Sequence, residues 1–191
     1  TGYDILFFWI ARMILMSGFH LGQVPFKTVY LHGLVRDKEG RKLSKSLGNN
    51  IDPIEMGTKY GTDAVRMSLI IGTAPGADSK MSEDKIRANK HFANKLWNIA
   101  RFVLENTSDA PKEKPELTTA DTVRFNELAD ISADVTKDIA NFNLHLAAEK
   151  LYHYVWHTFA DLVIEESKPI LAGEDSAARA SRQWFLYHAL T

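Results

Sequence analysis

A short basic loop is the part of this sequence best suited to chemistry. The segment Arg41-Lys42-Leu43-Ser44-Lys45-Ser46 places two lysines three positions apart, next to two hydroxyl side chains. Ammonium groups, hydroxyls and loop amides can stabilise polyphosphate oxygens, whose charge grows during phosphoryl displacement. Taken alone, such a loop is more often a solvated surface than a binding site. The candidate phosphate ligands are Lys42, Ser44, Lys45 and Ser46.

The elements around the loop indicate an α/β arrangement. Residues 28–35 are β-branched and apolar, which is typical of a strand covered on both faces, as in parallel sheets. Residues 4–19 are apolar nearly all round, and we expect a helix packed between layers. Asp52 followed by Pro53 predicts a short helix that ends at Gly61. The loop therefore lies between a buried strand and a capped helix.

Two further helices are predicted before the clearest linker. Thr62 can cap a helix over residues 63–71, and Ser82 can open a longer helix over residues 83–106. Apolar residues of the longer helix recur at the 3.6-residue period, so we expect this stripe to pack against other helices. The stripe contains Phe92, Ala93, Leu96, Trp97, Ile99, Ala100, Phe102 and Val103.

Residues 107–118, with two prolines and mixed charges, form that linker. Beyond it, amphipathic patterns predict a helix up to residue 139, a bend at residues 141–143 and a helix that ends before Pro169. A last helix begins at about Ser176, and we expect it to continue past the end of the sequence. These helices should pack antiparallel.

The expected fold class is mixed and mainly α. Residues 1–80 would form an incomplete α/β nucleotide-binding half of the Rossmann type, and residues 81–191 an incomplete antiparallel helical bundle. The charge divides unevenly: residues 1–110 carry 15 Lys and Arg against 11 Asp and Glu, and residues 111–191 carry 8 against 13. A chain so balanced should contact nucleic acid through a local face.

Composition supports a folded chain from a reducing compartment. The 191 residues are 45% apolar, which is enough to bury a core. There is no cysteine, so disulfides and thiolate chemistry are excluded and the cytoplasm is favoured. The apolar run 5–16 is shorter than the roughly 20 residues of a bilayer span and contains Arg12, so we interpret it as a core helix. Without an initiating Met or a leader, the sequence is expected to come from a longer protein.

The loop and two other stretches resemble class I aminoacyl-tRNA synthetases. Lysine, apolar, serine, lysine, serine, then Gly48-Asn49, is similar to their signature loop, with Leu43 where methionine is more usual. Residues 1–13 and residues 92–98 look like the valine-specific members of this class. The resemblance covers the chain to about Leu104.

The resemblance implies roles for the loop and for the end of the predicted strand. Lys45 would contact ATP most directly, and Lys42 would lie beside it on the phosphates as the second catalytic lysine. Ser44 and Ser46 would donate to phosphate oxygens. Gly33, which has no side chain, would let adenine approach the backbone closely.

The N-terminal stretch would complete the adenylate site. By the same resemblance, Gly2 and Asp4 would lie at the ribose of ATP or of the aminoacyl-adenylate, where Asp4 can accept hydrogen bonds from hydroxyls. Trp9 would form a wall of the pocket for the aliphatic side chain of the amino acid. Two ordinary alternatives stay open, because Asp4 also suits helix capping and Trp9 also suits core packing.

The long helix has a basic face that suits tRNA. In this family the helices after the loop support tRNA, so we predict contacts to the nucleic acid from Arg87, Lys90 and Lys95. The alternative is a solvated helix face. His153 and His157 lie four apart on a predicted helix, but without a convincing third ligand we predict no metal site in the chain itself.

The resemblance implies that the enzyme containing this chain activates valine with ATP, accompanied by Mg²⁺, and transfers it to tRNA(Val). We expect no membrane and no obligate protein partner. The histidine-containing signature and the editing domain of the class do not occur in this sequence, so the chain alone should be inactive. The alternatives are an isoleucine-specific member, disfavoured because residues 5–8 are apolar, and a non-catalytic tRNA-binding module.

Overall fold

The structure is a computed structural model that describes residues 1–191 apart from the side chain of Lys45. A 3₁₀ turn (Tyr3–Ile5) and a π-helical stretch (Leu6–Ala11) lead into the first α-helix, and a second π-helical stretch (Tyr154–Val163) joins α6 to α7. The α-helices are α1 (Arg12–Leu21), α2 (Pro53–Tyr60), α3 (Thr62–Ile70), α4 (Glu83–Asn106), α5 (Thr119–Ala140), α6 (Leu144–His153), α7 (Ile164–Ala172) and α8 (Ser176–Leu190). The strands are β1 (Val35–Arg36) and β2 (Ser79–Lys80).

The predicted buried strand is present only in part. We predicted a strand over residues 28–35, whereas regular pairing is limited to β1, which runs parallel to β2. On the other side, Gly2 and His32 form a parallel bridge, and the His32 amide donates to Thr1 at 2.9 Å. The predicted extent was wrong because a strand needs ladder partners, and the neighbouring segments supply only a few rungs.

The apolar N-terminal segment is helical, as predicted, but it is not buried. Its helical run extends from Tyr3 to Leu21, with a mean hydropathy of 1.4 and none of its length enclosed. Phe7 and Phe19 are 78% and 84% exposed. The expectation of a helix packed between layers is wrong for this chain, because α1 packs mainly on the turns directly before it. By length and hydropathy alone this run could also cross a membrane, a test that core helices of soluble proteins pass as well.

A small core lies behind the loop. It is built from Met56, Ala64, Val65, Met81 and Ile86. The α2 helix begins as predicted, because the Asp52 carboxylate accepts from the Ile54 amide at 2.8 Å. The α3 helix begins at Thr62, so the predicted cap is instead its first residue, and Gly61 precedes it with a φ of 96°.

A larger core lies among the later helices, centred on Val103, Val163, Phe185 and Leu186, all fully buried. The α4 helix has the predicted bounds and spans both cores, with Ile86 in the first and Ile99 and Val103 in the second. Its predicted stripe is only partly right. Leu96 and Trp97 are 40% and 73% exposed, because the buried face passes through Ile86, Asn89, Phe92, Ile99 and Val103.

The connection between α5 and α6 is the predicted bend, at which Phe142 has a φ of 62°. The next prediction is wrong in extent: helical structure does not end before Pro169 but continues to Ala172. Proline costs the helix one backbone hydrogen bond. On either side of Pro169, Leu171 packs in the larger core and the buried Ser167 hydroxyl donates to the Val163 carbonyl at 2.6 Å, and these contacts offset the cost.

Candidate nucleotide loop and tRNA-binding helix

The backbone of the basic loop is held by an antiparallel bridge between Arg36 and Lys42 and by the amide side chain of Asn49. The Asn49 side-chain oxygen accepts from the Ser44 amide at 2.9 Å. Its nitrogen donates to the Lys42 carbonyl at 3.2 Å and to the Asp37 carboxylate at 2.8 Å. Two backbone positions of the loop, Lys42 and Ser44, are therefore joined to Asp37 through one residue that follows the loop in the sequence.

Asp37 is the buried residue that anchors these contacts, with only 6% of its surface exposed. The Asn49 hydrogen bond, together with the backbone and guanidinium of Arg41, lowers the pKa of Asp37 to about 2, against the opposing effect of burial. Arg41 donates from its amide and from Nε, both at 2.8 Å. The carboxylate is consequently charged and fully engaged at neutral pH.

The Leu43 side chain lies next to the small core. It lines an apolar cavity of about 220 Å³ together with Met56, Val65, Met81 and Ile86. The leucine therefore preserves the apolar contact of the loop with the helices behind it.

The loop presents its polar groups outward. Lys42 and Ser46 are exposed, and the Ser44 hydroxyl lies 2.7 Å from the Ser46 hydroxyl. The side chain of the predicted ligand Lys45 lies outside the part of the chain that the structure describes, so its role stays a prediction. The described groups can offer one ammonium and two hydroxyls to an anion.

An open cleft of about 700 Å³ separates the loop from the start of α4. Its lining mixes charges: Asp37, Arg41 and Asn49 from the loop side face Lys59, Glu83 and Arg87 from the helices. Glu83 accepts hydrogen bonds from Lys59 and Tyr60, which together lower the pKa of this carboxyl below its ordinary value. The cations on the helix side are thus partly neutralised.

Three of the predicted adenylate residues lie together at the N-terminal end. Gly2 is buried and pairs with His32, which directly precedes Gly33. A Cβ at Gly2 would approach the Asp4 carboxylate to 2.6 Å, and one at Gly33 would lie 1.9 Å from the Ala77 carbonyl oxygen. Close packing of the chain on itself therefore already requires Gly33 to be glycine, and the adenine contact stays a prediction.

Asp4 and Trp9 are both exposed to solvent. No side chain caps the start of this helical segment among the described residues, so the capping alternative for Asp4 is not supported. Trp9 is 53% exposed, which disfavours core packing within this chain. The pocket role of Trp9 needs a second wall that the described elements do not supply.

Sequence reasoning missed Asp78, which fixes the short sheet. Its carboxylate accepts from the Leu34 amide at 2.8 Å, from Arg36 and from the Tyr3 hydroxyl at 3.0 Å. These contacts, led by the Leu34 amide, lower the pKa of Asp78. No pattern in the sequence marks this residue, because its donors lie 44, 42 and 75 positions away.

The three predicted tRNA-binding cations differ in how free they are. Arg87 pairs with Asp84 one helical turn before it. Lys95 donates to Asp161 at 3.0 Å and lies 5.5 Å from the centre of the Trp156 ring. Lys90 is 5.8 Å from the centre of the Tyr60 ring. Arg87 and Lys95 would have to exchange a carboxylate for a phosphate. Lys90 is half-buried, and among the described ion pairs it alone of the three has no carboxylate partner.

The aromatic and histidine residues of α6 and the following π-helical stretch form a packed stack. The Tyr152 ring lies 4.7 Å from Phe92 and 5.6 Å from Trp156, measured between centres. The His153 and His157 rings are 5.4 Å apart. Among the residues that the structure describes, no group of three or more His, Asp or Glu side chains is arranged to hold a metal ion.

Two family models match the chain on either side of its middle. Residues 1–82 match the class I tRNA synthetases for isoleucine, leucine, methionine and valine, and residues 121–191 match the anticodon-binding domain of tRNA ligases. The chain thus resembles the class I tRNA synthetases in both of these segments. The whole of α4, which spans both cores, lies between the two matched segments.

Similar curated synthetases are valine-tRNA ligases. The chain is 45% identical over its whole length to that of Clostridium tetani and 46% identical to that of Syntrophotalea carbinolica, and it covers 22% of each protein. Among solved structures, the methionyl-tRNA synthetase of Mycobacterium tuberculosis in complex with methionyl-adenylate matches with a TM-score of 0.73 and 28% identity. That match covers 98% of this chain and 38% of that synthetase.

This chain thus spans about a fifth of the length of the valine-tRNA ligases that it resembles. The described synthetase elements are mainly helical, in agreement with the predicted class.

Proposed function

We propose that this chain works within a valine-tRNA ligase, where it supplies the loop that binds ATP and helices that contact tRNA(Val). The main observation behind this proposal is the 45% identity to a valine-tRNA ligase over the whole of this chain, which includes the loop. The geometry supports it, because the loop backbone is anchored from behind by Asn49 and Asp37 while Lys42 and Ser46 face outward.

The loop would act by electrostatics rather than by proton transfer. Activation joins the valine carboxylate to the α-phosphate of ATP and releases pyrophosphate, so negative charge builds on the departing oxygens. Lys42 and Lys45, with the hydroxyls of Ser44 and Ser46, would stabilise that charge. Mg²⁺ would be carried by the ATP phosphates, since a basic loop is not a ligand set for a divalent cation.

The remaining adenylate contacts follow the same proposal. Gly2 and Asp4 would lie at the ribose, Gly33 at adenine and Trp9 at the valine side chain. Residues 1–80 would complete a Rossmann-like half with the rest of a catalytic domain, which would also cover the exposed apolar segment before residue 21. The helices of residues 81–191 would form an antiparallel bundle that contacts tRNA. A reducing, cytoplasmic setting suits a chain without cysteine.

Amino-acid-dependent exchange of labelled pyrophosphate into ATP tests the assignment in the full-length protein that contains this chain. Valine should support exchange with a kcat/KM about 10- to 200-fold above that of isoleucine, because one extra methylene in a fitted pocket is worth about 1–3 kcal/mol. Preferential exchange with isoleucine would favour the isoleucine-specific alternative. Absence of exchange with any amino acid, despite retained tRNA binding, would favour the non-catalytic module.

A further inference from the structure

Asn49 joins two backbone positions of the nucleotide loop to Asp37 through its side chain, next to the backbone bridge between Arg36 and Lys42. Its side chain makes three hydrogen bonds. It accepts from the Ser44 amide at 2.9 Å and donates to the Lys42 carbonyl at 3.2 Å and to Asp37 at 2.8 Å. A carboxamide has one acceptor oxygen and two N–H donors, so all three bonds can exist at once. The side chain is half-buried, whereas Asn50 next to it is exposed.

The anchor point of Asn49 is rigid because Asp37 is itself held. The Asp37 carboxylate is buried and accepts from the amide and guanidinium of Arg41 at 2.8 Å each. A charged, fully bonded acceptor fixes the direction of the Asn49 donor. The loop backbone at Lys42 and Ser44 is thus tied to a buried charge through the neutral side chain of Asn49.

We propose that Asn49 is a positioning residue for the reaction with ATP. By fixing the backbone at Lys42 and Ser44, it sets where the ammonium and hydroxyl groups of the loop lie when ATP arrives. This inference rests on the proposed function, in which the loop meets ATP. Donors that are already in place cost no reorganisation during the reaction, so releasing them should lower kcat.

The side-chain chemistry predicts a ranking of variants. Asn49→Ala removes all three hydrogen bonds. Asn49→Asp keeps an acceptor for the Ser44 amide, but it loses both donors and places a second carboxylate against Asp37, so its effect should be at least as large. Asn50→Ala is the matched control, because it changes the same residue type one position away at an exposed site.

Trypsin measures the loop directly in the full-length enzyme without substrates. In Asn49→Ala, trypsin cleavage after Arg41 and Lys42 should become about tenfold faster, because a tenfold change corresponds to about 1.4 kcal/mol less free energy of local opening. Asn50→Ala should be cleaved at the wild-type rate. The Tm should change little in either variant. Unchanged loop cleavage in Asn49→Ala would overturn the proposal. Faster loop cleavage would also overturn it if the Tm fell and cleavage after Lys137 in α5 accelerated equally, because the variant would then be destabilised as a whole.

Exchange kinetics give the second readout. Asn49→Ala should lower kcat of valine-dependent pyrophosphate exchange by about tenfold and leave the KM for valine unchanged. A raised KM for valine with an unaltered kcat would contradict a loop-positioning role. If Asn49→Ala loosens the loop while neither Asn49→Ala nor Lys45→Ala affects exchange, the ATP role fails and the anchor stands. If Lys45→Ala lowers exchange and Asn49→Ala changes neither readout, the positioning role alone fails.

Discussion

At the scale of single residues, the catalytic signature was visible in the sequence and its support was not. The Lys42 to Ser46 pattern identifies the loop because the residue types lie next to one another. Asp37 and Asn49 hold that loop, yet an aspartate and an asparagine in a polar turn occur in many proteins without such a role. Asn49 belongs to the pattern that resembles the signature loop, but its bonds to Lys42, Ser44 and Asp37 are visible only in the structure.

The depressed pKa of Asp37 predicts a defined pH dependence. Its pKa is about 2 in the folded chain against an ordinary value of 3.8, so its stabilising contribution is complete above about pH 4 and is lost as pH falls from there through 2. The difference in unfolding free energy between wild type and Asp37→Asn should therefore be constant from pH 7 to pH 5 and shrink below pH 4. Urea titrations at several pH values measure it, and a difference that instead grows toward low pH would contradict the assignment.

At the scale of elements, local signals located most helices. Capping residues correctly placed the starts of α2 and α4, at Asp52 and Ser82. The errors share one cause, which is tertiary context. Residues 28–35 have only a few ladder partners, the segment up to Leu21 lacks a covering layer, and buried neighbours keep the chain helical past Pro169.

A buried ion pair that the sequence did not reveal ties the later helices together. Arg182 of α8 donates to Asp121 of α5 at 2.6 Å and to Ser167 of α7 at 3.0 Å. The Ser181 hydroxyl and the Thr118 hydroxyl also donate to the Asp121 carboxylate, at 2.5 and 3.0 Å. Arg182 and Asp121 are 2% and 1% exposed.

Removing one partner of this pair should destabilise the helices strongly. Arg182→Ala leaves a buried carboxylate without its cation, and we expect a loss of about 3–5 kcal/mol in unfolding free energy. Arg179→Ala on the same helix is the control, since its pair with Asp109 is exposed and should be worth less than about 1 kcal/mol. Chemical denaturation monitored by circular dichroism compares them, and equal losses would refute the importance of the buried pair.

At the scale of the whole molecule, α4 is the element that links the loop to the helical region, because its side chains enter both cores. Family membership was predictable from motifs spread over the first half of the chain. The exposed apolar surface was not, since helical periodicity indicates which face is apolar and not what covers it.

Binding of tRNA should depend on the face of α4 that Lys90 occupies. Lys90→Glu should weaken binding several-fold and reduce the salt dependence of log Kd by about one phosphate contact or more. Lys137→Glu, at an exposed position of α5, makes the same change of charge and should have a smaller effect. Filter binding across salt concentrations separates these outcomes, and equal effects of both variants would show only a general dependence on net charge.

The central claim is that the loop acts on ATP during activation of valine, and Lys45→Ala in the full-length enzyme tests it most directly. Valine-dependent pyrophosphate exchange should fall at least about tenfold through kcat, because an ammonium that stabilises the departing pyrophosphate is lost. Lys112→Ala, which removes the same charge from the exposed linker, should exchange at the wild-type rate. Exchange by Lys45→Ala at the same rate as Lys112→Ala would contradict the account.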